Sequence, residues 1–62
     1  MKKRFALVDF YENPDGETIA EFDEIKPGII NQFCAWRKRD TDGECELYLM
    51  DRQNKDAYKL DY

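Results

Sequence analysis

The sequence predicts an α+β domain in which one helix crosses one face of a four-stranded antiparallel sheet, in the order ββαββ. Three observations carry that expectation. Apolar residues alternate at period two towards both ends of the chain, a strong turn motif follows the first alternating run, and residues 29 to 36 change to a spacing of four and three. The alternative is a five-stranded all-β small barrel, which needs a strand over residues 33 to 38 in place of the helix.

Residues 3 to 11 read as the first strand, with Phe5, Leu7 and Tyr11 on one side and Ala6, Val8 and Phe10 on the other. Apolar groups on both sides call for cover on both. Asn13-Pro14-Asp15-Gly16 then reads as a turn: proline presets φ at the first central position, Asp15 offers a local acceptor, and glycine takes a positive φ. Residues 17 to 22 return as the hairpin partner. Ile19 and Phe22 stand three apart there, which suits a helical turn as well as a strand.

Residues 29 to 39 carry the helix. Ile29, Phe33 and Trp36 form an apolar stripe flanked by Ile30 and Arg37, while Asn31, Gln32, Ala35, Lys38 and Arg39 take the remaining surface. Pro27 suits the start, and Asp23 and Glu24 before it with Arg37, Lys38 and Arg39 at its end follow the helix dipole. Two adjacent isoleucines and the lack of a capping side chain count against it. Thr41-Asp42-Gly43 ends the element. Residues 44 to 51 alternate again, with Cys45, Leu47 and Leu49 opposite Glu44, Glu46, Tyr48 and Met50. After a polar loop, residues 57 to 62 form the last strand, with Tyr58, Leu60 and Tyr62 on one side.

Sixty-two residues allow one small core, of a size at which association between copies relieves a shortage of buried surface. One helix covers only one face of a four-stranded sheet, so surplus apolar groups on sheet faces or edge strands point to a homodimer. Fourteen acidic residues against ten basic give a net charge of −4, yet 42% hydrophobic residues are too many for a disordered acidic tail. The opening Met1-Lys2-Lys3-Arg4 resembles the start of a signal peptide, but Asp9 interrupts the apolar run that a signal requires. No run approaches membrane-spanning length, and the expected location is cytoplasmic.

The chemistry-bearing residues point to binding rather than catalysis. There is no histidine and no serine, and Thr18 and Thr41 are isolated, so no nucleophile–base combination stands out. Asp40, Asp42, Glu44 and Glu46 alternate like calcium ligands, but a calcium loop starting at Asp40 would need glycine at Cys45 and glutamate at Asp51. Two cysteines without histidine do not complete a zinc site, and Cys34 and Cys45 read as core filling. No cofactor is expected, and no enzyme activity.

Two charged segments remain. Asp9, Glu12, Asp15, Glu17, Glu21, Asp23 and Glu24 concentrate seven carboxylates with no lysine or arginine among them. Such a segment suits a basic surface on a protein partner, as in an inhibitor or accessory subunit. The opposite cluster, Arg37-Lys38-Arg39 beside Trp36, supports nucleic-acid binding as the alternative, with Tyr48 and Tyr58 as stacking platforms if they share an exposed face. The net negative charge opposes that alternative.

Overall fold

The computed structural model describes residues 3–60. Strands β1 (Phe5–Asp9) and β2 (Glu17–Phe22) precede helix α1 (Pro27–Asp40), and strands β3 (Leu47–Asp51) and β4 (Asp56–Lys59) follow it. The four strands form one sheet in the order β2-β1-β3-β4. Every neighbouring pair is antiparallel. Residues 33 to 38 lie within α1 and the sheet ends in β2 and β4, so the architecture is ββαββ and not a closed barrel.

β1 is the inner strand that both halves of the chain share. Its Leu7 lies opposite Ala20 of β2 and Leu49 of β3, and is fully buried. Phe5, Leu7, Leu47 and Leu49 meet Ile30 and Cys34 of the helix in the core, and Ile19, Ala20, Phe22, Phe33 and Leu60 pack around them. Phe22 and Phe33 join sheet to helix edge-to-face, with ring centroids 5.8 Å apart. Tyr58 pairs with Leu49, and the Leu60 amide donates to the Leu47 carbonyl. The expected extension of β4 to Tyr62 lies outside the described residues.

The three-residue spacing of Ile19 and Phe22 has a structural cause. Leu7 pairs with Ala20 but Val8 pairs with Thr18, leaving Ile19 as an extra residue in β2. This bulge shifts the alternation by one, so Ile19, Ala20 and Phe22 all reach the core. The segment is a strand throughout, and the competing helical turn is absent from it.

The helix is turned differently from the expected stripe. Ile30 and Cys34 are buried, while Ile29 and Trp36 stay 40% and 46% exposed. At 100° per residue, the buried side centres on Ile30, Phe33, Cys34 and Arg37, about a quarter turn from the line through Ile29, Phe33 and Trp36. Lys26 precedes the helix without making a side-chain cap, and Pro27 occupies the first turn, where its missing N–H costs little. At the other end the Gly43 amide donates to the Lys38 carbonyl.

On the opposite sheet face, Ala6 and Val8 are buried and lie across from Met50 and Tyr48. Phe10 meets Tyr48 edge-to-face at 5.4 Å. The largest residues here are half-buried, and the exposed large apolar groups are instead Tyr11, Ile25, Ile29, Trp36 and Tyr58. The surplus expected on the sheet therefore gathers mainly around the helix.

The hairpin closes through the Gly16 amide, which donates to the Asn13 carbonyl, and through the Asp15 amide, which donates to Asn13 Oδ1. The local acceptor is thus Asn13 rather than Asp15. Gly16 has φ +85°, and a Cβ there would sit 2.6 Å from Val8 Cγ1 and 2.7 Å from Phe10 Cε1. Gly16→Ala should therefore lower the unfolding free energy by about 1–3 kcal/mol in urea titration. Gly28→Ala, where a Cβ meets nothing within 4 Å, should be neutral or stabilise by up to about 1 kcal/mol.

Candidate functional site

Asp9 ends β1 and faces the helix side of the sheet, where its side chain is only 5% exposed. Its Oδ1 accepts the backbone N–H groups of Tyr11 at 2.9 Å and Glu46 at 3.0 Å. Its Oδ2 accepts Arg37 Nε at 2.9 Å. These bonds explain why β1 stops before Tyr11 and β3 starts after Glu46: the carboxylate takes two amides at the margins of the two strands. Arg37 also reaches Glu17 at the start of β2, Nη2 to Oε2, at 3.1 Å. One guanidinium thus ties the helix to two strands.

Burial works against the charge on Asp9, but the hydrogen bonds from Tyr11, Glu46 and Arg37 outweigh it and hold the carboxyl below its ordinary range. Burial likewise opposes the Arg37 charge, and its bond to Asp9 with the charges of Glu17, Asp9 and Asp40 raises its pKa overall. The pair stays ionised at neutral pH. Around it lies a cleft of about 260 Å³ lined by Asp9, Tyr11, Glu12, Asn13, Glu17, Arg37, Thr41 and Glu44. Four carboxylates face one guanidinium there, so the opening is acidic.

A second buried carboxylate, which the sequence reading did not single out, holds the far end of the sheet. Asp51 accepts Arg4 Nε and Nη2, both at 3.1 Å, together with the Gln53 and Asn54 amides and Asn54 Nδ2. The Arg4 bond is the main cause of its lowered pKa. The Arg4 guanidinium also lies 4.7 Å from the centre of the Phe5 ring. An aspartate at the end of an alternating run, followed by Gln53 and Asn54, is the sequence signal that marks such a turn.

The acidic segment divides on folding. Asp9 is buried, Glu17 pairs with Arg37, Glu21 with Arg52, and Asp23 with Lys3 at 3.9 Å. Glu12, Asp15 and Glu24 form no salt bridge among the described residues. The structure brings Asp9, Glu12 and Glu17 to the cleft and adds Glu44, whereas Glu21, Asp23 and Glu24 line a separate depression beside the start of α1. The basic cluster divides too: Arg37 turns inward, while Trp36, Lys38 and Arg39 remain exposed. Tyr48 and Tyr58 project from opposite faces of the sheet, being adjacent to Val8 and Leu49 respectively, so they do not make one stacking platform.

Cys34 and Cys45 are buried in the core without a disulfide, and burial with the nearby Cys45 raises the pKa of Cys34. Among the described residues no group of three or more acidic or cysteine side chains is arranged to hold a metal ion. No helix among them is long and apolar enough to cross a membrane. Comparison with known proteins gave no significant match to a family model, a curated protein or a solved structure.

Asp9→Ala should lower the unfolding free energy by about 2–4 kcal/mol, because Arg37 and two amides lose their acceptor. Glu12→Gln, at an exposed position, should change it by less than about 0.5 kcal/mol. The pH dependence has a definite sign. A carboxyl with a depressed folded pKa contributes its full stabilisation above its unfolded value of about 3.9 and loses it as pH falls through the folded value. Thermal unfolding between about pH 5 and pH 2 should therefore show a smaller acid loss for Asp9→Asn than for the parent chain.

Proposed function

We infer that this protein is a small interaction module that docks the acidic cleft beside Asp9 and Arg37 onto a basic surface of a protein partner. An inhibitor or an accessory subunit would work in this way. The observation that carries the reading is the placement of Glu12, Glu17 and Glu44 around a floor fixed by the buried Asp9–Arg37 pair. A cleft of about 260 Å³ has room for one lysine or arginine side chain, which would meet the carboxylates of Glu12, Glu17 and Glu44. The exposed Asp15 at the hairpin tip extends the same negative field.

Binding rather than catalysis agrees with the lack of histidine and serine, and a cytoplasmic setting agrees with two thiols that remain unbridged. The nucleic-acid alternative retains Trp36, Lys38 and Arg39, but loses Arg37 to the buried pair and lacks a shared tyrosine face. Those losses favour the acidic cleft.

A lysine-rich peptide, titrated into isotopically labelled protein and followed by NMR, tests the reading. Shifts should centre on Tyr11 to Asn13, Glu17, Thr41 and Glu44, and affinity should fall about tenfold or more between about 25 and 300 mM salt. The double substitution Glu12→Gln with Glu44→Gln should weaken binding to a similar degree while leaving the unfolding midpoint unchanged. Shifts spread over the whole surface, or binding indifferent to both substitutions, would remove the cleft from the account.

A further inference from the structure

Cys34 and Cys45 are nucleophilic side chains that the acidic cleft does not use, and the fold gathers both into one core cluster. Cys34 stands one turn before Arg37, on the buried side of α1 with Ile30. Cys45 precedes Leu47 and Leu49 in the alternating series that packs against this side of the helix. The two residues are only 3% and 7% exposed.

Two sets of bonds fix their approach. Asp9 accepts Arg37 Nε on Oδ2 and the Glu46 amide on Oδ1. A single carboxylate thus holds the residue one turn after Cys34 and the residue next to Cys45. Beyond the helix the chain reverses tightly. The Gly43 amide donates to the Lys38 carbonyl at 2.7 Å, and the Cys45 amide donates to the Gly43 carbonyl at 3.0 Å. The reversal brings Cys45 back towards the last turns of α1, where Cys34 lies one turn before Lys38. Burial, and then the neighbouring Cys45, raise the pKa of Cys34 and keep its thiol protonated in the closed fold.

We propose that Cys34 and Cys45 are a reversible redox pair, which a low-molecular-weight disulfide such as oxidised glutathione closes into a bridge between α1 and the start of β3. One protein thiolate attacks the small disulfide, forms a mixed disulfide and releases a small thiolate. The other protein thiol loses its proton and attacks the mixed disulfide, which makes the Cys34–Cys45 bond and releases the second small thiolate. Two electrons and two protons pass from the pair to the small disulfide, which leaves as two thiols. The exposed turn at residues 42–44 is the way in, since its opening uncovers Cys45 while the sheet stays paired. The bridge encloses ten residues and joins the elements that Asp9 already fastens. Neither thiol lines the acidic cleft, so the inference stands whether or not that cleft docks a partner.

Linkage supplies the test. The factor by which the fold favours the bond equals the factor by which the bond favours the fold. The full chain is equilibrated with mixtures of reduced and oxidised glutathione, in buffer and in denaturing urea, then acid-quenched and weighed by mass spectrometry. The intramolecular bond should be favoured by about tenfold or more in buffer over urea, and dithiothreitol should reverse it. The bridged chain should unfold at a temperature higher by about 5 °C or more. Cys45→Ala should show no such rise after the same treatment. A bond no more favoured in buffer than in urea would overturn the proposal, and this comparison needs no variant. So would oxidation that stops at mixed disulfides, or that links two chains in place of Cys34 and Cys45.

Discussion

The buried ion pair between Asp9 and Arg37 is the constraint on which the remainder of the structure turns. One carboxylate oxygen fixes the margins of β1 and β3 by accepting the Tyr11 and Glu46 amides, and the other fixes the helix by accepting Arg37. Because Arg37 must point at the sheet, the residues one turn before it on the same side, Phe33 and Cys34, turn inward with it. Ile30 follows a turn earlier. The ion pair thus selects which of two overlapping apolar stripes becomes core, and leaves the other on the surface.

Such a pair is costly to bury and costlier to break. Desolvation opposes both charges, and the hydrogen bonds reverse its effect on each pKa. No buried side-chain nitrogen or oxygen among the described residues is left without a partner, so each desolvated group is compensated. Asp51 repeats the arrangement at the opposite end of the sheet: an aspartate ends a strand, accepts amides from the next turn and receives an arginine from elsewhere in the chain. The two sites give a small apolar core polar fastenings at both ends. That is a use for charge in a chain with little hydrophobic surface to spare.

Much of the architecture was legible because period and punctuation agreed. The bounds of β2 match the expected 17 to 22, the helix contains the expected 29 to 39, and the Asn13-Pro14-Asp15-Gly16 turn lies where its residues place it. The rotation of the helix was not legible, since hydrophobicity ranks Trp36 above Arg37 as a core residue and says nothing of a carboxylate waiting across the sheet. The bulge at Ile19 was visible as a broken alternation, but its cause lies in pairing with β1. The acidic segment showed its composition and hid its geometry: a linear run does not reveal that Asp9 is internal, or that Glu44 from beyond the helix joins Glu12 and Glu17.

The position of β1 has a consequence for how the chain folds. It lies between β2 and β3, yet it precedes both, and Leu7 finds its partner Leu49 about 40 positions later. Joining those strands closes a long loop before their contacts return anything, whereas the β1–β2 hairpin is local. Until β3 docks, that hairpin has an open apolar edge, and Asp9 lacks the amide of Glu46. A two-stranded hairpin is marginally stable by itself. The chain is therefore most open to mispairing before β3 docks, and the segment at risk is the one that becomes the best-buried strand of the finished protein.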